Sequence, residues 1–307
     1  MIRDQASELR NLARRAHHGS PVVAIGAPLV GVAGCRRGVG ATSVAVGLAA
    51  GLAESGLRIV LADADPICPA VAARCGLARC DASRLDLRDA VEFDRDFRGM
   101  LVTGPQGLQI LPTRVDRSTA RMVPSEAACD RFADRFRALG RHADGLLVDL
   151  GSSAAPLATR LWRAADHLIV VLRADDQSLM DAYARLKTNG LAERTTLHIL
   201  VNGAADEPRA TDLVARLAHA SERFLGIAVL FTGWLPESPA QPGSPSNALD
   251  RPGPPTETGR REREDAAMEP IVTRWRALLE PGRVERPACA PFEPAVSQQR
   301  GGTPERT

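Results

Sequence analysis

Short apolar runs alternate with helical patterns along most of this chain. The apolar runs have the length of strands, and helix-period patterns separate most of them. Strands are predicted at Leu29–Gly34, Arg58–Ala62, Leu108–Pro112, Gly145–Leu150, His167–Leu172, Leu197–Val201 and Ile227–Phe231. Strands that are apolar on both faces and joined by helices are typical of parallel sheets. The pattern therefore predicts one α/β domain over residues 25–236, with a parallel β-sheet flanked by helices on both faces.

The regions outside this domain have other patterns. Residues 1–24 begin with an amphipathic helical pattern and end in a Gly- and Pro-containing break, so we predict a helix and a linker there. Residues 237–263 are rich in Pro, Gly and Ser and are predicted to be a disordered linker, because they cannot bury enough apolar surface to order themselves. Residues 282–307 are predicted to be a disordered tail.

A short amphipathic helix is predicted between the linker and the tail, in residues 264–281. Its apolar stripe is clearest over Pro270–Glu280 and consists of Ile271, Val272, Trp275, Leu278 and Leu279. Such a helix either docks on the sheet as the last helix of the domain or lies on a membrane surface. Because the apolar stripe is short for stable membrane binding, we favour docking.

Composition and charge argue against several kinds of protein. A net charge of +2 and an aromatic content of 4% provide neither a basic stripe nor stacking platforms, so we expect no nucleic-acid partner. The six cysteines show no CxxC spacing, which favours free thiols in a reducing compartment. There is no apolar signal segment, and no apolar run reaches the roughly 18 residues of a membrane-spanning helix. We therefore expect a cytoplasmic location.

A glycine-bearing turn, C-R-R-G-V-G-A-T-S, follows the first predicted strand and leads into a helix over Ala41–Ser55. Glycines permit positive φ values and close backbone approach, and the free N–H groups of a helix start attract anions. The sequence therefore predicts a phosphate cradle, with a simple tight turn as the alternative. The residues expected to contact a nucleotide here are Arg36, Gly38, Val39, Gly40, Ala41, Thr42 and Ser43.

Three aspartates stand at the ends of predicted strands. Asp63 and Asp65 follow the second strand, and Asp149 ends the apolar run Leu146–Val148. Ligands of open parallel sheets bind at the carboxyl ends of the strands. We therefore predict a catalytic role for Asp65 and Asp63, and a magnesium site formed by Thr42, Asp63 and Asp149. Helix capping is the alternative for Asp63 and Asp65, and a backbone hydrogen bond is the alternative for Thr42.

These motifs together resemble those of the MinD/ParA group of dimerising ATPases, which have a P-loop NTPase fold of the SIMIBI class. The segments that carry the resemblance are Cys35–Ser43, Arg58–Pro66 and Leu146–Ser152. The resemblance implies ATP or ADP with Mg²⁺ as the cofactor and a nucleotide-dependent homodimer. It also implies that Asn202 and Pro236 lie on the adenine side of the site.

Three further segments look like FlhG-type regulators of flagellar number and placement, namely Asp4–Arg10, Asp181–Lys187 and Ser221–Gly226. This resemblance implies an FlhF-type, SRP-like GTPase as partner, and a flagellar basal-body protein as a further one. It also leaves open a weak, peripheral association with the inner face of the membrane. The residues implied in GTPase binding are Asp4, Gln5, Ala6, Leu9 and Arg10, for which an ordinary solvated helix is the alternative.

The chain departs from the family loop, G-K-G-G-x-G-K-T-[ST], at several positions. Cys35 and Arg37 replace glycines, and Arg36 stands where a signature lysine reaches the nucleotide of the partner subunit. Ala41 replaces the lysine that holds the β- and γ-phosphates. The loss of one charge-assisted contact costs about 1.5–3 kcal/mol. The sequence therefore predicts a flagellar regulator, or pseudo-ATPase, in which ATP hydrolysis is weak or absent.

Two alternatives remain. Arg36 could replace the missing lysine and support an active ATP-dependent dimerisation switch, because guanidinium groups bind phosphate well. The second alternative is a non-hydrolysing assembly scaffold like the CpaE/TadZ pilus proteins or the cellulose-associated BcsQ proteins, which also lack this lysine. The CpaE/TadZ proteins usually carry a receiver-like domain before the ATPase fold, and only residues 1–28 precede it here, which disfavours that alternative.

Overall fold

The computed structural model describes residues 26–77, 87–93, 97–113, 124–237 and 258–280. Their strands are β1 (Leu29–Gly34), β2 (Ile59–Asp63), β3 (Val102–Thr103), β4 (Gln109–Leu111), β5 (Gly145–Asp149), β6 (His167–Arg173), β7 (Thr196–Ala204) and β8 (Val229–Pro236). These strands form one sheet in the order β3-β4-β2-β5-β1-β6-β7-β8. Neighbouring strands are parallel except for β3 and β4, which pair antiparallel.

Helices cover the sheet, as the alternating pattern predicts. They are α1 (Ala41–Glu54), α2 (Val71–Arg74), α3 (Leu87–Phe93), α4 (Glu126–Ala138), α5 (Pro156–Ala164), α6 (Asp176–Asn189), α7 (Glu207–Leu225) and α8 (Thr258–Leu279). Every residue of β1, β2 and β5 is buried, because helices pack on both faces of these central strands. The predicted α/β architecture is confirmed, and the short edge strand β3 is an addition to it.

The last helix, α8, packs on the domain and is longer than predicted. It begins at Thr258, inside the range 237–263 that we expected to be a disordered linker. The segment that follows this start, R-R-E-R-E-D-A-A-M, consists mostly of good helix formers, which explains the earlier start. Residues 238–257, 281–307 and 1–25 lie outside the described residues, and with them the rest of the linker, the tail and the N-terminal helix.

Two glycines of α1 allow α8 to approach closely. A Cβ on Gly51 would lie 2.6 Å from Val272 Cγ2, and one on Gly47 would lie 3.1 Å from Met268 Cε. The apolar stripe of α8 is buried at Ile271, Val272, Trp275 and Leu279. The structure thus places the stripe against the domain, as the docking interpretation requires. None of the helices in the described part of the chain combines the length and the apolar character that a bilayer crossing requires.

Two histidines, the buried His198 and the partly buried His167, lie beneath α8. His167 Nδ1 is 3.2 Å from His198 Nε2, and His198 Nδ1 is 3.2 Å from Thr232 Oγ1. The Trp275 ring covers both imidazoles, with ring centroids 5.6 Å and 4.7 Å away. Burial lowers the pKa of both histidines, and for His198, which also faces His167 and Arg274, the pKa falls to about 3. Both side chains are therefore neutral in the folded protein at neutral pH.

We expect His198 to make folding stability depend on pH. An unfolded histidine has a pKa of about 6.5, so below that pH His198 binds a proton in the unfolded chain but not in the folded one. Between about pH 7.5 and about pH 5, this difference costs the fold about 2 kcal/mol. Denaturant unfolding should therefore show that the wild type loses about 2 kcal/mol more than His198→Gln over this interval. Asp63 and Asp149, whose raised pKa values act in the opposite direction, are common to both proteins. Equal losses in the two proteins would contradict the prediction.

Candidate functional site

The loop between β1 and α1 has the geometry of an anion cradle. Gly40 is the N-cap of α1 with a φ of 91°, and Gly38 has a φ of 81°. The N-cap Gly40 makes no side-chain capping bond, so within the described structure the first N–H groups of α1 are available to a ligand. These N–H groups and the helix dipole favour an anion at this point. The loop thus keeps the backbone conformation that the glycines predict.

Asn202 contacts this loop from the end of β7. Its Nδ2 donates a hydrogen bond of 2.8 Å to the carbonyl oxygen of Val39. A Cβ on Gly40 would lie 2.3 Å from the same nitrogen, so only glycine fits beneath Asn202. The structure therefore places Asn202 at the site and shows that its amide supports the loop.

Alanine substitutions at the two loop glycines are expected to differ. Both residues have positive φ, and an alanine there costs about 1 kcal/mol of strain. A Cβ on Gly38 meets no atom within 4 Å, whereas one on Gly40 must displace Asn202 and break its hydrogen bond. We expect Gly40→Ala to lower the free energy of unfolding by about 2 kcal/mol and Gly38→Ala by about 1 kcal/mol. Equal losses in chemical denaturation would contradict this role of Asn202.

The two aspartates after β2 bind backbone N–H groups. Asp63 Oδ2 accepts from the N–H groups of Ala70 and Val71 at 2.9 Å and 3.0 Å, at the start of α2. Asp63 Oδ1 accepts from Asp65 N, at 3.3 Å. Burial and the nearby Asp149 raise the pKa of Asp63 well above its ordinary value. These contacts favour the capping interpretation for Asp63 over a metal or catalytic role.

Asp65 follows β2 and is 7% exposed. Its Oδ1 accepts from the N–H groups of Ile67 and Cys68, which shapes the loop after β2. Its Oδ2 packs on Gly151, where a Cβ would lie 2.1 Å away. One oxygen of Asp65 thus supports the loop, and the other faces the turn after β5.

Asp149 is the aspartate with a free buried oxygen. Its Oδ1 accepts from Gly151 N at 3.0 Å, while Oδ2 is buried without a hydrogen-bond partner in the described chain. Burial raises the pKa of Asp149, and an interaction with the Thr42 hydroxyl partly offsets this rise. An orphaned carboxylate oxygen beside a hydroxyl fits a hydrated Mg²⁺ ion.

Across the described residues, no three His, Cys, Asp or Glu side chains converge on one metal position. Mg²⁺ in phosphate sites needs only one or two protein ligands, because water and phosphate oxygens supply the others. Thr42 and Asp149 are therefore the residues that could hold the ion.

The two arginines of the loop point away from its interior. The guanidinium of Arg36 pairs with Asp175 at 2.8 Å, and it also lies 3.7 Å from Asp181 and 3.3 Å from the Ser178 hydroxyl. All three partners are on α6 or at its N-cap. Arg37 donates to the Cys68 sulfur in the loop after β2. Ala41, at the lysine position, is 7% exposed and contributes no charge, and the Ser43 side chain is exposed.

A cavity of about 320 Å³ opens where β6, β7 and β8 end. Gly203 and Glu237, the residues that follow Asn202 and Pro236, line this cavity. Arg173 packs over Gly203 and pairs with Glu237 at 3.0 Å. The two residues predicted for the base side, Asn202 and Pro236, thus each precede a residue that lines this cavity, and they are not among the residues that line it. The residues predicted to bind a partner, Asp4, Gln5, Ala6, Leu9 and Arg10, lie outside the described residues.

One residue of the site, Arg185, could not be recognised from the sequence patterns. Arg185 of α6 donates to the carbonyl oxygens of Gly34, Gly151 and Ser153, and so joins the loop after β1 to the turn after β5. The helical pattern of α6 marks Arg185 only as a polar position. Its contacts depend on how α6 docks beside β1, which no local pattern specifies.

Comparison with known protein families shows which family this chain belongs to. The family model described as "Cellulose biosynthesis protein BcsQ" matches residues 27–240. The chain belongs to this family, within the MinD/ParA superfamily. Antiactivator FleN of Pseudomonas aeruginosa is 30% identical over 215 residues, which cover 68% of this chain and 73% of FleN. The flagellum site-determining protein YlxH of Helicobacter pylori is 24% identical and covers 57% of this chain and 58% of its own. These relatives confirm the predicted resemblance to the FlhG type.

Solved structures of the superfamily have the same fold. The cell division ATPase MinD of Pyrococcus furiosus aligns with a TM-score of 0.61 at 17% identity, over 82% of this chain and 99% of its own. The MinD cell division protein of Aquifex aeolicus aligns with a TM-score of 0.56 at 19% identity, over 81% of this chain and 96% of its own. MinD of Pyrococcus horikoshii, which was solved with Mg-ADP, aligns with a TM-score of 0.54 at 19% identity, over 69% and 82%. The predicted MinD/ParA-type fold is confirmed.

Proposed function

We propose that this protein is a MinD-type regulator of flagellum number or placement that binds Mg-ATP or Mg-ADP weakly and hydrolyses ATP slowly or not at all. The observation that carries the nucleotide part is an intact loop conformation with Ala41 at the lysine position. The loop can still offer N–H groups to phosphates, but it lacks the contact that grips the terminal ones.

The proposed site has one group of residues for the phosphates, one for Mg²⁺ and one for the base. Gly38, Val39, Gly40, Ala41, Thr42 and Ser43 would surround the phosphates, Thr42 and Asp149 would hold Mg²⁺, and Asn202 and Pro236 would border the base. Bound Mg²⁺ would neutralise charge on the phosphate oxygens. Asp65 remains the candidate for positioning water, because the backbone N–H groups of Ile67 and Cys68 bind its Oδ1 rather than its Oδ2.

The alternative of an active switch that uses Arg36 finds less support. In the described chain the guanidinium of Arg36 is held by Asp175 and Asp181 of the same subunit. Phosphate contact would require these ion pairs to break. A nucleotide-dependent homodimer remains part of the proposal, since dimerisation is implied by the family resemblance.

The flagellar part of the proposal rests on the relatives, since one is named as an antiactivator and another as a flagellum site-determining protein. We propose an FlhF-type GTPase as the partner, bound through residues 4–10, with a basal-body protein as a further partner. The proposed location is the cytoplasm, with weak contact at the inner face of the membrane.

A binding experiment tests the partner. The full-length protein should bind a purified FlhF-type GTPase, and the double variant Gln5→Ala/Leu9→Ala should lose that binding. Arg216→Ala on α7, far along the chain from this segment, serves as the matched control. Retained binding in the double variant would refute the role of residues 4–10.

A second candidate is an assembly scaffold of the BcsQ type, which the match over residues 27–240 favours. The two candidates differ in the phenotype of a deletion strain. A change in the number or position of flagella supports the regulator, whereas normal flagella with altered cellulose production support the scaffold.

A further inference from the structure

Arg185 extends from α6 to the two turns that border the loop. Its Nη1 donates to the carbonyl oxygens of Gly34 and Gly151, and its Nη2 donates to that of Ser153 at 3.3 Å. The same two turns are joined directly, because Gly34 N donates to Gly151 O at 3.0 Å. One guanidinium therefore fixes the relative position of the end of β1 and the turn after β5.

Both turns belong to the candidate nucleotide site. Gly34 immediately precedes the loop, and a Cβ on it would lie 3.3 Å from the Cβ of Ala41. Gly151 donates to Asp149 Oδ1 and packs against the carboxylate of Asp65. The turn also holds the Ser153 hydroxyl, which is buried without a hydrogen-bond partner in the described chain. Arg185 thus contacts Gly34, which lies close to Ala41 in space. It also contacts Gly151, which itself contacts two site aspartates.

The guanidinium of Arg185 is also held by an aromatic ring. It lies over the Trp162 ring, with Cζ 5.1 Å from the ring centroid. Trp162 itself is buried and donates from Nε1 to Gly190 O at 2.7 Å. A cation that is oriented before a ligand arrives costs little reorganisation when the ligand binds. The two loop arginines are not oriented toward a ligand in this way. Arg36 pairs with Asp175 at the N-cap of α6, and Arg37 donates to the Cys68 sulfur in the loop after β2.

From these contacts we infer that Arg185 is a positioning residue of the nucleotide site, which fixes the start of the loop and supplies a resident positive charge at Gly34. The inference rests on the proposed nucleotide binding and names the group that partly replaces the missing lysine. The ligand class is a nucleoside polyphosphate with Mg²⁺. Because each further phosphate adds negative charge, the effect of Arg185 is larger for ATP than for ADP.

Titration with Mg-ATP and Mg-ADP tests whether the positive charge of Arg185 contributes to nucleotide binding. Arg185→Leu is expected to weaken ATP binding about tenfold or more, and ADP binding by a smaller factor. Arg185→Lys keeps the charge and should preserve the ratio of the two affinities. Adding Ala41→Lys to Arg185→Leu should restore that ratio. Arg216→Leu, which removes an exposed ion pair with Asp176 at the first position of α6, is the control and should change neither affinity.

Hydrogen exchange of the nucleotide-free protein tests the positioning. The Gly34 amide should exchange at least about tenfold faster in Arg185→Leu than in the wild type or in Arg216→Leu. Unchanged affinities and unchanged exchange in a folded Arg185→Leu would overturn the inference, as would equal losses for ATP and ADP that Ala41→Lys fails to restore. If Arg185→Leu does not fold, the exchange measurement on Arg185→Lys decides, because that variant loses the forked contacts. Faster Gly34 exchange in Arg185→Lys supports the inference, and unchanged exchange overturns it. A wild-type protein that binds neither nucleotide would refute the proposed nucleotide binding. The exchange measurement would still test whether Arg185 positions the loop.

Discussion

The variant Ala41→Lys is expected to bind Mg-ATP about 10- to 150-fold more tightly than the wild type. Ala41 is the first residue of α1 and borders the loop, whose Gly38 and Gly40 already have the conformation of a phosphate cradle. A lysine here adds one charge-assisted contact to the terminal phosphates, worth about 1.5–3 kcal/mol. Calorimetric titration with Mg-ATP measures the gain.

Ala41→Met is the matched control for this variant. Methionine has a similar length and occupies the same space but carries no charge, so it should not increase the affinity. The gain in Ala41→Lys should also be larger for ATP than for AMP, because the lysine acts on the β- and γ-phosphates. No gain in Ala41→Lys, or an equal gain in Ala41→Met, would show that the missing charge does not limit binding.

Trp275→Ala is expected to destabilise the protein by about 3–5 kcal/mol. Trp275 is 1% exposed and lies on the buried stripe of α8, where its ring covers His167 and His198. Truncation leaves a large cavity between the helix and the sheet and exposes the histidine pair to water. Denaturant unfolding measures this loss, and the midpoint of thermal unfolding should fall by roughly 10 °C.

Arg276→Ala provides the comparison on the same helix. Arg276 is half-exposed and forms a surface ion pair with Glu280, so its loss should change the unfolding free energy by less than about 1 kcal/mol. If Trp275→Ala were as stable as Arg276→Ala, α8 would not be docked on the domain as described.

The central strands and the loop could be predicted from the sequence because local patterns determine them. The run Leu29–Gly34 is apolar throughout and forms a strand buried on both faces. Gly38 and Gly40 predict a turn that only glycine adopts easily, and the turn has that form. The strand β3 could not be predicted, since Val102–Thr103 is too short to show a period.

The direction of individual polar side chains could not be predicted. Asp63 has the position of a magnesium ligand in the sequence, but the path of the following loop brings the N–H groups of Ala70 and Val71, at the start of α2, to its carboxylate. Arg36 stands at a signature position, but its ion pairs depend on where α6 begins, at the N-cap Asp175. Such contacts join residues far apart in the chain, and no local pattern encodes them.

Turnover of Mg-ATP at saturation, compared between the wild type and Asp65→Asn, tests the central claim most directly. Asparagine preserves the shape of Asp65 and can still accept the N–H groups of Ile67 and Cys68, but it removes the charge of the proposed water-positioning group. Because the site lacks the lysine at Ala41, we predict that the two proteins show the same low rate. A wild-type rate about 100-fold or more above that of Asp65→Asn would contradict the claim and establish an active ATPase.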